Sequence, residues 1–273
     1  MPEKTSDPIA QPGEMRSLVN AFDWERTPLG ANERWPQSLK AAVNLMLECR
    51  LPMYIAWGPQ FTQIYNDAYR PILGNKHPAA LGARAPDTWP EIWPTIGPMW
   101  QQVLEGTPVG YDGFKLTIER YGFPEDVYFN FSYSAVHDDD GARAGVLVAF
   151  AETTEQVLSE SRLRFLLQLE DATRVLEDSS DITLTAARLL GEFLNVNRCA
   201  YADVEEDEDT FNLSGDYNNG VDSIVGRYRF VQFGGECLRL MRENEPYIVI
   251  DSETDPRTSA VRDAYRATKI RSV

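Results

Sequence analysis

Few residues in this chain can act as nucleophiles, metal ligands or proton carriers. Among its 273 residues are two histidines and three cysteines. One histidine, His77, lies between prolines and glycines in the segment YNDAYRPILGNKHPAALG, residues 65–82. A histidine can transfer protons, contact a ligand or coordinate haem iron. Because no nucleophile or oriented acid accompanies His77 in the sequence, we predict no catalytic residue.

The cysteines and acidic runs give no pattern of a metal site. Cys49, Cys199 and Cys237 are far apart and none forms a Cys-x-x-Cys pair, which argues against both a disulfide framework and a zinc site. The runs DDDG, residues 138–141, and DEDT, residues 207–210, could bind calcium, but their composition favours solvated turns. We therefore predict no metal ligand.

Composition and charge exclude several classes of protein. Hydrophobic residues make up 43% and charged residues 25%, values ordinary for a globular protein. The net charge of −16 repels phosphate backbones and argues against nucleic-acid binding. No uncharged apolar run approaches the roughly 20 residues needed to span a bilayer. The N-terminal residues lack the apolar core of a secretory signal, so we expect a cytoplasmic protein with no membrane span.

The spacing of apolar residues predicts an α+β first half. Residues 1–36, rich in proline, glycine and charge, predict an irregular arm, and a helix starts at the next residues. Five strand-like segments follow, in two groups separated by short helical pieces that proline and glycine interrupt. Alternation is clearest in residues 126–136, DVYFNFSYSAV. These features predict a first domain over residues 37–152, with an antiparallel sheet covered by short helices.

A change of period marks a connecting helix, residues 153–178. Its apolar residues have heptad-like spacing and predict a parallel dimer seam, although a helix packed on its own domain gives nearly the same pattern. The seam consists of Leu158, Phe165, Leu169, Ala172 and Leu176. A second α/β domain follows over residues 179–273, with strand-like segments that include RYRFVQF, residues 227–233, and YIVID, residues 247–251. Its predicted sheet is short of strands, so we expect this domain to be incomplete at its C-terminus.

The motifs of the first half resemble those of PAS domains that precede bacterial sensor histidine kinases, often of the HWE type. This resemblance covers residues 20–158 and is specific. It rests on FDWERTPLG, LPMYIAWGP, YNDAYRPILGNKHPAALG, EIWPTIGP, YFNFSYSAVHDDDG and AETTEQVL. Residues 165–273 resemble a GAF domain, an α/β sandwich, less specifically. That resemblance rests on NRCAYADVE, YIVIDSETDPRTSAV and AYRATKIRSV. Together they imply a PAS domain joined by a helix to a partial GAF domain.

The PAS resemblance implies a cavity between the sheet and the short helices. Asn66 and His77 are candidates for this pocket: Asn66 would cap the turn after the second strand, and His77 would be a lid residue, with ligand contact or haem ligation as the alternative. Aromatic residues would line the cavity, where they could stack on a planar ligand or form simple core packing. These candidates are Tyr54, Trp57, Tyr65, Trp93, Trp100, Phe129, Phe131 and Tyr133.

A second set of candidates lies in the GAF-like half. Tyr201, Tyr217, Tyr228 and Phe230 could surround a small molecule such as a cyclic nucleotide, or simply pack together. No cofactor is required by the sequence, and the cofactor remains unknown. The absence of cysteine between residues 50 and 198 excludes flavin–cysteinyl photochemistry in the PAS half, and neither Cys199 nor Cys237 has the adjacent histidine common in bilin-binding GAF domains.

The resemblance predicts the sensory input region of a two-component sensor histidine kinase. A ligand or packing change would pass from the sheet through Glu152, Thr153 and Thr154 into the helix, whose relay residues are Leu158, Phe165, Leu169 and Leu176. The expected partners are a second copy of the chain, a kinase domain in cis and a response regulator. Two alternatives remain open, namely the input region of a diguanylate cyclase and a ligand-free dimerisation module.

Overall fold

The computed structural model describes residues 13–273, so part of the predicted N-terminal arm, residues 1–12, lies outside the described residues. The chain divides into two compact units, the first ending at Ser159 and the second running from Glu160 to Val273. Within the described residues, no helix is both long and apolar enough to cross a membrane.

The N-terminal segment is more ordered than the sequence predicts. Residues Glu14–Ala21 form helix α1, 3-10 turns occupy Trp24–Arg26 and Asn32–Arg34, and helix α2 spans Gln37–Glu48. The expectation of an irregular arm is therefore wrong for the described part. Its apolar residues are spaced to cover one side of the core, and the buried ones are Met15, Val19, Trp24 and Trp35.

A five-stranded antiparallel sheet forms the centre of the first unit, as expected. Its strands are β1 (Met53–Trp57), β2 (Thr62–Tyr65), β3 (Val109–Ile118), β4 (Glu125–His137) and β5 (Arg143–Glu152). They lie side by side in the order β2-β1-β5-β4-β3. Because successive side chains of a strand point to opposite faces, β4 buries Val127, Phe129, Phe131 and Tyr133 on one face.

Short helices cover this sheet. Helix α3 spans Arg70–Leu73, α4 spans Ala85–Thr88, and the longer α5 spans Trp93–Glu105. Proline occupies the first turn of each, where its missing N–H would be unpaired in any case. Gly74, at φ +52°, ends α3, and its position also brings its backbone against Arg120.

Helix α6 spans Thr154–Thr173, so it is shorter than the predicted connecting helix. The division between the two units falls within it, after Ser159. None of its side chains is fully buried. The helix therefore belongs in part to each unit, and its first turn is built on the end of β5.

The second unit contains a three-stranded antiparallel sheet and helices. Helix α7 spans Ser179–Leu194 and begins at Asp178, whose side chain accepts a hydrogen bond from the Ser180 backbone N–H. The sheet has the order β6-β7-β8. Its strands are β6 (Arg198–Val204), β7 (Thr210–Asn218) and β8 (Gly226–Arg229), and the last helices are α8 (Gly235–Arg242) and α9 (Arg262–Ala267).

Two strand predictions in this unit are wrong. Only the start of RYRFVQF is a strand, and Phe230–Phe233 form a 3-10 turn. The segment YIVID is not a strand, although Val249 exchanges two backbone hydrogen bonds with Val273. The Ser252 N–H also donates to the Arg271 carbonyl, but these bonds form no regular ladder, and the Ile248 carbonyl accepts from the Arg257 side chain.

Candidate functional site

A cavity of about 50 Å³ lies between the sheet and the short helices of the first unit. Its wall is almost entirely aromatic and aliphatic. The lining residues are Tyr54, Tyr69, Ile72, Trp89, Ile92, Ile96, Leu116, Ile118, Phe129, Phe131, Tyr133, Val148 and Phe150. An apolar cavity of about 150 Å³ can hold benzene, so the present space suits only a much smaller molecule.

The strand register brings the sheet residues of this cavity together. Val148 of β5 pairs with Tyr54 of β1 on one side and with Tyr133 of β4 on the other. Phe150 pairs with Phe131 in the neighbouring row. Directly paired residues project from the same face of a sheet, so both rows face the short helices. The register therefore places one phenol group on each side of Val148.

Three tyrosine hydroxyls provide the polar groups of the cavity wall. Tyr54, Tyr69 and Tyr133 are each at least 96% buried, and the Trp89 Nε1–H donates to the Tyr69 hydroxyl at 3.0 Å. Burial raises the pKa of all three tyrosines, and the adjacent Trp100 indole opposes part of the rise at Tyr133. The phenols are therefore neutral hydrogen-bonding groups at physiological pH.

Four of the predicted pocket residues, Tyr54, Phe129, Phe131 and Tyr133, line this cavity. Trp93 and Trp100 do not line it and form a layer behind it, with the Trp100 ring 5.7 Å from Tyr54 and 6.0 Å from Tyr133. Their role is to support the wall. Trp57 contributes to a separate groove with Trp35 and Leu39, because it faces away from the cavity. Alternation along β1 places Tyr54 and Trp57 on opposite faces.

The fully buried Asn66 side chain joins several segments beneath the cavity. Its Oδ1 accepts from the backbone N–H groups of Met53 and Tyr69, at 3.1 and 3.2 Å. Its Nδ2 donates to the carbonyls of Met46, Cys49 and Leu51, the shortest of these at 2.7 Å. Asn66 thus caps the turn as the resemblance implies, and it also ties the end of α2 to the start of β1.

His77 lies outside the cavity. Its Nδ1 is 2.9 Å from the Tyr65 hydroxyl, and its Nε2 is 4.0 Å from a carboxylate oxygen of Glu14 in α1. Neither His77 nor Tyr65 lines the cavity, but the Tyr65 ring makes an edge contact with Tyr69. Burial, together with the positive charge of Arg70, lowers the pKa of His77. The imidazole is therefore mainly neutral near pH 7 and links the lid to α1.

Some cavity residues were not predicted from the sequence. Phe150 follows the same alternation as Val148, so the pattern of β5 contains the signal for it. Tyr69 lies three residues after Asn66, at the turn that Asn66 caps. Trp89 has no such signal, because irregular backbone before α5 determines where its ring lies.

The predicted relay residues form a network at the end of β5. The Glu152 carboxylate pairs with the Arg120 guanidinium at 2.8 and 3.2 Å and accepts from the Thr154 hydroxyl at 3.0 Å. The Thr154 hydroxyl accepts from the Tyr128 backbone N–H, and the Thr153 N–H donates to the Tyr128 carbonyl at 2.7 Å. Arg120, which also pairs with Glu125, was not predicted. The start of α6 is thereby fixed to β4.

The helical relay candidates occupy different environments. Phe165 stacks on Phe193 of α7 with ring centroids 4.4 Å apart, and Leu169 is partly buried. Leu176 is also partly buried but lies beyond the end of α6, so its prediction as a helical relay residue is wrong. Leu158 is 43% exposed. The predicted seam is therefore not a uniform exposed stripe, because Phe165 packs within the second unit. The exposed apolar residues of α6 include Leu163, Leu166 and Leu167.

The four candidates of the second unit do not share one environment. Tyr201 is 47% exposed, Tyr217 packs against Gly191 of α7, and Tyr228 and Phe230 stack on Phe211. Gly191 is required there, because a Cβ at this position would lie 2.2 Å from the Tyr217 ring. These residues therefore contribute to packing at separate places.

The acidic runs form turns in the structure. Asp138 accepts from the backbone N–H groups of Asp140 and Ala142, and Asp207 accepts from those of Asp209 and Thr210. Asp139 accepts from the first N–H groups of α2, at Gln37 and Ser38. Among residues 13–273 there is no cluster of histidine, cysteine and carboxylate side chains that could hold a metal ion.

Comparison with known proteins identifies the fold of the first unit. Residues 53–158 match the family model described as the PAS fold. No curated protein matches the chain. Residues 53–158 of the chain therefore have the PAS fold.

Several solved structures are similar to parts of this chain. The PAS domain of Bordetella pertussis BvgS is 17% identical, with 48% of this chain and 99% of that domain covered and a TM-score of 0.32. The chromophore-binding domain of Stigmatella aurantiaca bacteriophytochrome is 11% identical, with 92% and 84% covered and a TM-score of 0.36. An RNA-binding light-oxygen-voltage receptor is 15% identical, with 54% of this chain covered and a TM-score of 0.36. The chain spans 42% of the length of that receptor.

Replacement of Asn66 by alanine should destabilise the first unit by about 3 kcal/mol, because several buried backbone groups lose their partner at once. All six tryptophans lie at or before residue 100, so denaturant unfolding followed by tryptophan fluorescence reports on this unit. The control is Asn75→Ala, at an exposed asparagine of the same lid, which should change the free energy of unfolding by less than about 0.5 kcal/mol. Equal effects of the two substitutions would contradict the central role of Asn66.

The stability contributed at His77 should decrease as the pH falls. The folded chain holds this imidazole with a pKa below its ordinary value, so it binds fewer protons than the unfolded chain. Stability is greatest above the ordinary pKa of about 6.5 and is lost at lower pH. Relative to His77→Gln, the native chain should therefore lose unfolding free energy between about pH 7.5 and about pH 5.5. His137→Gln, at the exposed end of β4, is the control and should follow the native chain.

Proposed function

We propose that this chain is the sensory input region of a cytoplasmic two-component sensor histidine kinase. In this proposal the PAS domain detects a ligand or a packing change, the second unit is a partial GAF domain, and α6 carries the change toward a kinase domain. The kinase and GAF assignments rest on the sequence motifs given above. The two alternative functions remain the input region of a diguanylate cyclase and a ligand-free dimerisation module.

One structural observation supports the relay more than any other. Phe129 lines the cavity, and its neighbour Tyr128 binds Thr153 and Thr154 through its backbone. Phe129 also pairs directly with Glu152 in the sheet register. A displacement of β4 at the cavity wall must therefore act on the residues that begin α6. A bias of about 1.4 kcal/mol between two states changes their ratio about tenfold, which is within the range of allosteric coupling by one ligand.

The proposed dimer uses the exposed leucines of α6 as its contact. Leu163, Leu166 and Leu167 are 61%, 54% and 63% exposed, and their i, i+3, i+4 spacing puts them on one side of the helix. Removal of exposed apolar side chains from water lowers the free energy of the system. A second copy of α6, which would cover this stripe, is therefore a suitable partner. This stripe replaces the predicted seam, in which Phe165 is already occupied by Phe193.

The residues that follow this chain in its parent protein distinguish the outputs. A histidine-containing dimerisation helix with ATP-binding motifs would support the kinase, and autophosphorylation of the full-length protein would then be altered by Glu152→Ala. A Gly-Gly-Asp-Glu-Phe-like motif would support a cyclase and refute the kinase.

Replacement of Glu152 by alanine should loosen the start of α6. The substitution removes the Arg120 pair and the Thr154 hydrogen bond, so amide hydrogen exchange over residues 154–158 should accelerate about fivefold, which corresponds to about 1 kcal/mol. Glu125→Ala is the matched control, because Glu125 pairs with the same arginine but has no contact with Thr154. If both variants accelerate exchange equally, the specific connection to α6 is wrong.

The chain should be a dimer at tens of micromolar by sedimentation equilibrium, and Leu163→Glu combined with Leu167→Glu should convert it to a monomer. Each introduced glutamate would lose its hydration in the dimer contact. The free-energy cost of that loss exceeds the stabilisation that the buried leucines give the native dimer. Leu194→Glu, at a similarly exposed leucine that ends α7, should leave the dimer intact. A native chain that sediments as a monomer under these conditions would refute the dimer.

A further inference from the structure

Three phenol groups of the cavity wall have protons that they can donate to an occupant. The Tyr69 oxygen accepts from Trp89, and the Tyr133 oxygen lies beside the Trp100 indole. Within residues 13–273, none of the hydroxyls of Tyr54, Tyr69 and Tyr133 donates its own proton to a protein acceptor. A donor that borders an apolar cavity gains a hydrogen bond when an acceptor enters, so these three groups favour an occupant that offers acceptor atoms.

The electrostatics of the wall favour an uncharged occupant. No lysine, arginine, histidine, aspartate or glutamate is among the residues that line the cavity. A charged ligand would lose its hydration there without meeting an opposite charge. Burial raises the pKa of each tyrosine, so none of them supplies a phenolate to balance a cation. The phenol groups can therefore donate hydrogen bonds but cannot neutralise an ion.

The shape of the wall favours an occupant with an apolar body. Ten of the thirteen lining residues are aliphatic, phenylalanine or tryptophan, and the three hydroxyls come from the sheet and the lid. The volume of about 50 Å³ limits the occupant to a few heavy atoms.

We propose that the PAS cavity binds small, uncharged molecules that present a carbonyl-type acceptor to Tyr54, Tyr69 and Tyr133 and pack short apolar groups against the remaining wall. This inference rests on the proposed sensory function and specifies the chemical class of the signal. The recognition is by neutral donors, so it selects a ketone over a hydrocarbon of the same shape and over a carboxylate of similar size.

The test compares three probes of nearly equal size by methyl NMR of isoleucine-labelled chain. Acetone has the acceptor, isobutene replaces its oxygen by a CH₂ group, and acetate carries a charge. The methyl groups of Ile72, Ile92, Ile96 and Ile118 line the cavity, whereas those of the buried Ile55 and Ile64 do not. Acetone should shift the cavity methyls saturably in the millimolar range, while isobutene and acetate should bind at least several-fold more weakly.

Single Tyr→Phe variants locate the recognition. Tyr54→Phe, Tyr69→Phe and Tyr133→Phe should each weaken acetone binding about three- to tenfold, the usual worth of one hydrogen bond. Tyr65→Phe is the matched control and should bind acetone normally, because its hydroxyl bonds to His77 outside the cavity. Tyr69→Phe loses the hydrogen bond from Trp89 and could fail to fold for that reason. In that case Tyr54→Phe provides the test, because within the described residues the Tyr54 hydroxyl has no hydrogen bond to another protein group.

Three results would overturn the proposal: isobutene binding as well as acetone, acetate binding more tightly than acetone, or no probe shifting the cavity methyls. Unchanged acetone affinity in all three cavity variants would also overturn it. The relay and the dimer are measured without any ligand. If the probes do not bind as expected but amide exchange is accelerated in Glu152→Ala, only the ligand class is refuted. If the probes bind as expected but exchange in Glu152→Ala is normal, only the relay is refuted.

Discussion

The PAS unit depends on one buried amide. Asn66 satisfies backbone groups from the end of α2, the loop that follows it, the start of β1 and the turn that carries Tyr69. These groups lie at the end of a helix, at the start of a strand or in a turn, where buried backbone groups need a partner outside the regular hydrogen-bond pattern. A single side chain with two donors and an acceptor oxygen meets this need at the point where the lid returns to the sheet. Among the residues tied to this junction, Tyr69 lines the cavity.

The unit separates its neutral interior from its ionic contacts. The cavity wall is neutral, whereas Arg120, Glu125 and Glu152 meet at the end of β5, where they are partly exposed. Ion pairs at such a place keep part of their hydration and still fix the direction in which α6 leaves the sheet. The strand β4 contributes to both regions through adjacent residues, Tyr128 and Phe129. The same backbone therefore forms the cavity wall and holds the start of the helix.

The sequence-based predictions were correct where the spacing of neighbouring residues determines the structure. They were wrong where contacts between residues far apart in the chain determine it. Strand β4 was predicted well because its alternation records which face is buried. The segment YIVID has the composition of a strand, but Val249 pairs with the distant Val273 without forming a regular ladder. Arg120 escaped prediction because its partner Glu152 is 32 residues away. Trp57 was assigned to the cavity by its aromatic type, although the alternation in β1 places it on the other face.

The sequence by itself determined the order of the elements, the antiparallel sheet with its short helices, the capping role of Asn66 and the contribution of Tyr54, Phe129, Phe131 and Tyr133 to one aromatic face. The order of the elements and the sheet follow from backbone periodicity, which neighbouring residues encode, whereas the cap and the aromatic face were implied by the resemblance of the motifs to PAS domains. Only the tertiary structure decided the size of the cavity, the presence of three phenol hydroxyls with free donors in its wall, and the network around Arg120. Such properties depend on register and packing between segments far apart in the chain, and no local pattern records them.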